Sequence, residues 1–366
     1  MPQQLTIDKI DGKPGSVYYP LRLREVPRPI PGPNEYLVRI HTAAINHRDF
    51  FIRQHLYPAI SFTNPLLADG YGTVVEAGPG ADSALLHTPV LLTPCRGWHS
   101  SPDGPDGDVT FATLGGTQST PLGTAQDYIV VHESEVEPAP KHLNPTEAAA
   151  LPLVGLTGWR ALVTKSGGNA EPGRNILITG IGGGVALQVL QFAVARGCNV
   201  WVTSGDEAKI HRAVQLGARG GVLYRNSDWD KELLALLPAL RPYIDAIIDG
   251  AGGDIVRRGV RLLRTGGIIS SYGMTVAPKM DWLMQAVMKN IELHGSTMGS
   301  RQEFREMVEF VRQHRIKPVV SRTVKGLDNL DAIDGLFQDI RDAKQFGKLV
   351  IEISSPSNSE TMSSKL

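Results

Sequence analysis

Asn175-Ile-Leu-Ile-Thr-Gly-Ile-Gly-Gly-Gly-Val-Ala186 leads directly into an apolar helical pattern, Leu187–Val194. An apolar, β-branched run ends at a glycine cluster, and a helix is expected to begin there. Such a turn brings backbone N–H groups and a helix N-terminus close to a phosphate. A glycine-rich turn that serves only strand–helix packing is the alternative. The stretch predicts dinucleotide binding and hydride transfer, with the cofactor diphosphate contacted by Gly182, Gly183, Gly184 and Val185.

Length and composition exclude several classes of protein. The chain has 366 residues, enough for two domains with separate cores, and its 37 basic and 37 acidic residues give zero net charge. This balance argues against binding to nucleic acid or to an acidic membrane surface. No apolar run has the length of a membrane span, and the polar N-terminus lacks a secretory signal. Only Cys95 and Cys198 are present, too few for a disulfide framework, which favours a reducing compartment.

The last three residues, Ser364-Lys365-Leu366, match a peroxisomal address that an import receptor reads. They follow a polar tail that begins at Ser354 and would leave the terminus accessible. A chance ending of a frayed tail is the alternative. We expect peroxisomal import through this receptor, and a cytoplasmic protein otherwise.

The chain changes character near residue 153. Before that point, glycine, proline and short apolar runs predict a strand-rich, partly closed barrel with long loops, such as Gly97–Gly123. Beyond it, strands alternate with helical patterns such as Gln302–Gln313, which predicts a parallel, doubly wound sheet. The candidate strands are Ile176–Thr179, Val200–Thr203, Gly221–Tyr224, Ile244–Ile248, Ile268–Tyr272 and Ile291–Gly295. A final strand, Gly347–Ile353, is expected to rejoin the first domain, so the predicted domains are 1–152 with 318–366, and 153–317.

The end of the second predicted strand indicates which cofactor binds. NAD-specific sites place Asp or Glu there, about 20 residues after the glycines, to accept a hydrogen bond from a ribose hydroxyl. This chain has Val202-Thr-Ser-Gly205 instead, and Ser204 can donate to a 2′-phosphate that a carboxylate would repel. NADPH is therefore the predicted cofactor.

Three further side chains are placed to complete the phosphate pocket: Lys209, Tyr224 and Arg225. Lys209 lies one turn into the next helix, and the other two follow the third strand. A solvated lysine is the alternative for Lys209, and two acidic residues that open the same helix weaken the positive field.

The segment Ala43–Pro58 is dense in polar residues. Its two histidines and its aspartate could ligate zinc, but no ligand-like Cys/His pair follows at recognisable spacing. Arg48, Asp49 and Arg53 are best explained as a structural ion network. Asn46 and Tyr57 are the candidates for catalysis, because an amide and a phenol can hydrogen-bond a carbonyl oxygen and a phenol can deliver a proton.

Five motifs in sequence order resemble those of the medium-chain dehydrogenase/reductase superfamily: Ala44-Ile-Asn-His-Arg-Asp49, Asp69-Gly-Tyr-Gly-Thr-Val-Val-Glu-Ala-Gly78, Gly155-Leu-Thr-Gly-Trp-Arg-Ala-Leu162, the glycine turn and Gly347-Lys-Leu-Val350. The resemblance covers nearly all of residues 20–353, and it is strongest to quinone-oxidoreductase-like and "zinc-type alcohol dehydrogenase-like" members. It implies an α/β protein with a GroES-like, partly closed β-barrel domain, a Rossmann domain and an active cleft between them. It also implies a homodimer, for which Ile291–Gly295 is the candidate edge strand.

Zinc members of this family place cysteine where this chain has Asn46, a His-Glu pair at Ala68-Asp69, and another cysteine near Val154–Gly155. They also carry a four-cysteine lobe in the region of Gly97–Gly123. None of those cysteines exists here, and thiolates are the ligands that hold such zinc. We therefore expect no metal.

Zinc-free relatives imply roles for individual residues. Asn46 would border the nicotinamide and the substrate, and Tyr57 would be the proton donor, with a wall residue as the alternative. Thr157 would lie near the nicotinamide carboxamide, and Lys348 is also assigned to the cofactor site. The chain departs from the family at Ala186, the last position of the turn, and at His55, where a glycine is usual. The imidazole of His55 puts the orientation of the Tyr57 side chain in question.

The predicted function is a zinc-independent, NADPH-dependent reductase that transfers hydride to a quinone or an α,β-unsaturated carbonyl compound, a small-molecule substrate. Three alternatives stay open. They are a peroxisomal 2-enoyl-thioester reductase, a tailoring reductase of secondary metabolism, and a non-catalytic NADPH-binding regulator.

Overall fold

The computed structural model describes residues 1–277 and 279–354, and the chain divides into two units. Among the described residues, the first unit contains Met1–Leu153 and 300–354, and the second contains Val154–Gly299. The sequence placed the second boundary at residue 318, so the helix Arg301–His314 falls in the first unit instead of the second. The tripeptide 364–366 lies outside the described residues.

Strands in the described residues are β1 (Gln3–Ile7), β2 (Leu21–Glu25), β3 (Glu35–Ile45), β4 (Asp69–Ala77), β5 (Pro89–Leu92), β6 (Cys95–Arg96), β7 (Ala112–Thr113), β8 (Tyr128–His132), β9 (Val136–Pro138), β10 (Asn175–Ile178), β11 (Asn199–Ser204), β12 (Gly220–Leu223), β13 (Ile244–Asp249), β14 (Leu263–Ser271), β15 (Glu292–Gly295), β16 (Val320–Lys325) and β17 (Lys348–Glu352). Helices are α1 (His47–Arg53), α2 (Pro145–Ala149), α3 (Pro152–Trp159), α4 (Gly184–Ala195), α5 (Glu207–Gln215), α6 (Trp229–Leu236), α7 (Ile255–Leu262), α8 (Met284–Met288), α9 (Arg301–His314) and α10 (Leu330–Arg341). Across this described part, no helix combines the length and the apolar character needed to cross a membrane.

The main sheet of the first unit has the order β16-β17-β3-β4-β5-β9, and β8 also pairs with β3. All pairings except β16 with β17 are antiparallel. β17 lies against β3, with Leu349 opposite Ile45. One face packs on α10, whose Ile333, Leu336 and Phe337 are fully buried. The register of β17, β3 and β4 positions the polar cluster described below.

The second unit is built on a six-stranded, wholly parallel sheet with the order β12-β11-β10-β13-β14-β15. Ile176, Leu177 and Ile178 of β10 are fully buried, as expected for a central strand covered on both faces. This confirms the predicted doubly wound sheet. The strand order reverses between β10 and β13, and ligands of such sheets bind at the carboxyl ends of the strands at that point.

Candidate functional site

The glycine turn joins β10 to α4 in the second unit. Gly180 and Gly182 have φ values of 65° and 117°, a conformation that L side chains rarely adopt. A Cβ at Gly182 would lie 2.9 Å from Cδ of Lys209, so a side chain there would require the lysine to shift. Gly183 caps the 12-residue helix α4 without a side chain. Gly183 and Gly184 are partly exposed at the N-terminus of α4, which fits the diphosphate of a dinucleotide.

The other predicted cofactor contacts of the second unit lie near α4. A Cβ at Gly158 would contact the carbonyl oxygen of Val185 at 3.6 Å, so α3 packs closely on the first turn of α4. Thr157, one residue earlier, is buried, and its Oγ1 donates to Sδ of Met298 over 3.7 Å. The predicted contact of Thr157 with the nicotinamide stays a prediction.

Several polar side chains surround the carboxyl end of β11. The hydroxyl of Tyr224 lies 2.5 Å, and Nε of Arg225 3.3 Å, from the position that a Cβ at Gly205 would take. The Lys209 side chain folds back from α5 toward the glycine turn, with Nζ 3.4 Å from the Cβ position of Gly182. Ser204, the last residue of β11, is buried, and its Oγ accepts from the backbone N–H of Asp206. The end of β11 thus carries hydrogen-bond donors. Ser204 stands at the position where NAD-specific sites have a carboxylate.

Burial and the charges of Asp206 and Arg212 act on Lys209. Burial lowers the pKa of its ammonium, and the nearby carboxylate of Asp206 partly opposes this. Asp206 is the N-cap of α5 and accepts from the backbone N–H of Ala208 at 2.8 Å. The carboxylate of Asp206 therefore also interacts with the N-terminus of α5, where a negative charge is stabilised.

The point where the strand order reverses carries further residues that the sequence motifs did not indicate. Thr179 follows β10, and its Oγ1 donates to Oδ1 of Asp249, the last residue of β13, at 2.6 Å. Asp249 also accepts from the backbone N–H groups of Ala251 and Gly252. Burial raises the pKa of Asp249, and these hydrogen bonds oppose the shift. The signal for this site was Asp249-Gly-Ala-Gly-Gly253, a second glycine cluster at a strand end.

Tyr272 belongs to the same group. It follows β14, and its hydroxyl lies 2.5 Å from the position that a Cβ at Gly250 would occupy, so only glycine fits beneath the ring. Burial, with a smaller contribution from Asp249, raises the pKa of Tyr272 above its ordinary range, so the phenol is protonated at neutral pH.

In the first unit, Asn46 lies between β3 and α1 and caps that helix. Its side-chain Nδ2 donates to Oδ2 of Asp69 at 2.8 Å, and its Oδ1 accepts from Nζ of Lys348 at 2.5 Å. Asn46, Asp69 and Lys348 are 6 %, 0 % and 4 % exposed. The sheet register brings them together, because Asp69 lies opposite Ala44 and Lys348 begins the strand next to β3.

All three protons of the Lys348 ammonium have acceptors within this cluster. They are Oδ1 of Asn46, Oδ2 of Asp69 and the carbonyl oxygen of Ile45, the last two at 2.8 Å. The other carboxylate oxygen of Asp69 accepts from the backbone N–H of Leu153 at 2.6 Å. The arrangement gives no support to the cofactor role predicted for Lys348, since no proton of its ammonium lacks an acceptor.

Tyr57 is partly buried, and its ring lies 4.8 Å from the guanidinium carbon of Arg48. Arg48 also donates to the carbonyl oxygens of Leu114 and Gly115, which ties α1 to the long loop. His55, the residue that put the turn in question, has a φ of 56° and hydrogen-bonds the hydroxyl of Tyr19 through Nδ1. The turn thus keeps the left-handed conformation that a glycine would favour.

The residues at the position of the family's catalytic metal do not fit a metal. A zinc site needs thiolate, imidazole or carboxylate ligands that are available to the ion. Here an ammonium lies against the only carboxylate of the cluster, and it would repel a divalent cation. Within residues 1–277 and 279–354, no group of three His, Cys, Asp or Glu side chains is arranged to hold a metal ion.

Comparisons with known proteins agree with this architecture. Residues 32–141 match the family model of the alcohol dehydrogenase GroES-like domain, and residues 184–313 match the model of zinc-binding dehydrogenases. The chain is 60 % identical to zinc-type alcohol dehydrogenase-like protein YogA of Leptosphaeria maculans, over 96 % of this chain and 100 % of that protein. It is 29 % identical to zinc-type alcohol dehydrogenase-like protein C1773.06c of Schizosaccharomyces pombe, over 90 % of this chain and 93 % of the other.

Among solved structures, an NAD-dependent alcohol dehydrogenase superimposes with a TM-score of 0.81 and is 29 % identical, covering 96 % of this chain and 100 % of its own. The predicted GroES-like and Rossmann domains are thus confirmed. The glycine turn fits the diphosphate of the nicotinamide cofactor that an oxidoreductase of this kind uses. The chain therefore belongs to the medium-chain dehydrogenase/reductase superfamily and is an oxidoreductase of the alcohol dehydrogenase type.

Proposed function

We propose that the protein is a zinc-independent, NADPH-dependent reductase that transfers hydride to a quinone or an α,β-unsaturated carbonyl compound. The observation that carries the proposal is the buried cluster of Asn46, Asp69 and Lys348, in which an ammonium neutralises the carboxylate. Protein hydrogen-bond donors, and no Lewis acid, would then act on the substrate oxygen. The printed names of the relatives describe a zinc-type protein, and the donor set of this chain argues against that chemistry here.

The end of β11 supports NADPH over NADH. NAD-dependent sites use a carboxylate at this position to bind the ribose hydroxyls, and Ser204 stands there in this chain. Tyr224 and Arg225 approach the same strand end, Lys209 approaches the glycine turn, and we assign the additional phosphate to these three side chains. A guanidinium and an ammonium are the strongest partners for phosphate oxygens.

A site without a metal has no Lewis acid to polarise the substrate carbonyl, so it favours a substrate that is already activated by conjugation. NADPH, when bound, supplies the hydride. Addition of hydride to a conjugated carbon moves the π electrons onto the carbonyl oxygen, where the charge is delocalised. Neutral donors can stabilise such an oxyanion, and Asn46 and Tyr57 are the donors that we assign to it. The Tyr57 hydroxyl would then protonate the oxygen and recover its proton from water.

The test is oxidation of NADPH and of NADH by the purified protein, with phenanthrenequinone, a simple enone and a long-chain enoyl thioester as acceptors. The proposal predicts turnover of the quinone or the enone with NADPH, and much slower turnover with NADH. Turnover of the thioester alone would indicate a lipid enoyl reductase. Tight NADPH binding without turnover of any acceptor would indicate a regulator and contradict the proposal.

We also propose that the protein is a homodimer formed through β15. This strand is an edge of the parallel sheet and pairs only with β14 among the described strands. The adjacent α8 leaves Met284, Val287 and Met288 largely exposed. An edge strand beside an apolar surface suits an isologous contact with a second copy. Light scattering should give a dimer, and Met288→Glu should weaken it; a monomeric wild type at micromolar concentration would refute this.

Finally, we propose peroxisomal import through Ser364-Lys365-Leu366. A fluorescent protein fused to the N-terminus should enter peroxisomes in a host that has them. Deletion of these three residues should leave the fusion in the cytoplasm. An unchanged distribution after the deletion would contradict the proposal.

A further inference from the structure

We propose that Lys348 and Asp69 are positioning residues that fix the side-chain amide of Asn46 in one orientation, with one N–H kept for the substrate carbonyl oxygen. The inference rests on the proposed function and deepens it. Lys348 and Asp69 contact neither substrate nor cofactor in this account, and they act through Asn46 alone.

The chemistry of the three groups determines the orientation. An ammonium has only donors, so it requires Oδ1 of Asn46, and a carboxylate has only acceptors, so it requires Nδ2. The two contacts, at 2.5 and 2.8 Å, meet both requirements at once. A flipped amide would place N–H against the ammonium and oxygen against the carboxylate. The orientation of most asparagine side chains is a matter of assignment, whereas here it follows from the charges of the partners.

The hydrogen bonds within the cluster use every donor except one N–H of the Asn46 side chain. Lys348 uses its three protons, and Asp69 has partners on both oxygens. The backbone N–H of Asn46 donates to Oδ2 of Asp49 at 2.8 Å. Nδ2 of Asn46 carries two hydrogens, and only one of them is bound by Asp69. The cluster thus presents an N–H without an acceptor in residues 1–277 and 279–354, the group that a developing oxyanion requires.

The burial of the cluster makes the positioning rigid. Asp69 is fully buried and bound to the backbone of Leu153, so it cannot follow a moving amide. Lys348 is held by the carbonyl oxygen of Ile45, the residue next to Asn46. A buried pair of charges confers little stability compared with a neutral pair of similar volume, but it specifies one arrangement.

The variants that separate positioning from stability are Lys348→Met and the double change Lys348→Met with Asp69→Asn. The single variant should melt at a lower temperature, because it leaves a buried carboxylate without its cation. The double variant carries neither charge and should recover most of the melting temperature. Lys344→Met, at an exposed lysine in the turn before β17, is the matched control and should match the wild type.

Kinetics then test the positioning. In the double variant, kcat for the quinone or enone should stay on the order of 10- to 100-fold low, because the amide can flip, while the Kd for NADPH changes by less than about twofold. Added to Asn46→Ala, the double change should cost almost nothing more, since both act on one group. A double variant with wild-type kcat, a fully additive loss on Asn46→Ala, or a large rise in the NADPH Kd would overturn the inference.

A measurement without turnover keeps the two proposals distinct. In protein labelled at asparagine, the side-chain N–H of Asn46 that Asp69 accepts, assigned with Asn46→Ala, should exchange more slowly with solvent in the wild type than in the double variant. Slow exchange in a wild type that reduces no acceptor would refute the proposed function and leave the fixed amide standing. Equal exchange in both proteins would refute the positioning, whatever the wild type reduces.

Discussion

Replacement of Lys209 by Met should weaken NADPH binding and leave NADH binding almost unchanged. The ammonium lies at the glycine turn, 3.4 Å from the Cβ position of Gly182, and the side chain is partly buried, so its charge is only partly screened. A hydrogen bond between charged groups contributes about 2 kcal/mol, which corresponds to roughly a 30-fold increase in Kd. Methionine keeps most of the side-chain volume, so packing over the turn should persist.

Fluorescence titration of both cofactors at low and high ionic strength measures this effect. The ratio of the NADPH and NADH dissociation constants should move toward one in Lys209→Met, and the difference from the wild type should shrink with added salt. Lys231→Met, at an exposed lysine of α6, controls for the loss of a positive charge. Equal weakening of both cofactors would show that Lys209 supports the turn itself, and no change would refute its assignment to the phosphate.

Two other changes test separate parts of the account. Because the phenol of Tyr57 is the proposed proton donor, Tyr57→Phe should lower kcat on the order of 100-fold and leave the Kd for NADPH unchanged. A variant that keeps nearly full kcat would show that Tyr57 only lines the site. Asp245 is fully buried; burial opposes its ionisation, but hydrogen bonds from Arg241 and from the backbone N–H of Asn175 hold its pKa below the ordinary value. Such a carboxylate stabilises the folded state at pH values above the pKa that it has in the unfolded chain. Asp245→Asn should therefore lower the free energy of unfolding by about 3 kcal/mol at pH 7, and this loss should become smaller as the pH falls below about 4. Urea unfolding that gives the same loss at every pH would contradict this.

The second unit could be predicted from the sequence because its sheet has a local signature. β10 to β13 and β15 lie within one or two residues of their predicted bounds, since each follows from a short apolar run between helical patterns. β14 begins at Leu263, five residues before the predicted start, and crosses Gly266 and Gly267. The register of β14 with β13 shifts at this point. The two glycines favour a strand that starts after them, whereas β14 continues through them.

Contacts that join distant parts of the chain could not be predicted in the same way. The alternating pattern placed α9 in the second unit, but Arg301 at its start donates to the carbonyl oxygen of Val136 and to the carboxylate of Glu137 in the first unit. Lys348 and Asp69 are separated by 279 residues, and only the register of three strands brings them together. Asp249 could have been found, since its glycine-rich strand end repeats the signature that located the first turn.

We propose that protein groups, without a metal, act on the substrate carbonyl in an NADPH-dependent reaction. The most direct measurement is the turnover of phenanthrenequinone by protein dialysed against a chelator, with the zinc content determined on the same sample. We expect undiminished NADPH oxidation at a zinc content far below one ion per chain, and no gain when zinc is added back. Activity that disappears with the chelated metal and returns with one equivalent of zinc would contradict it.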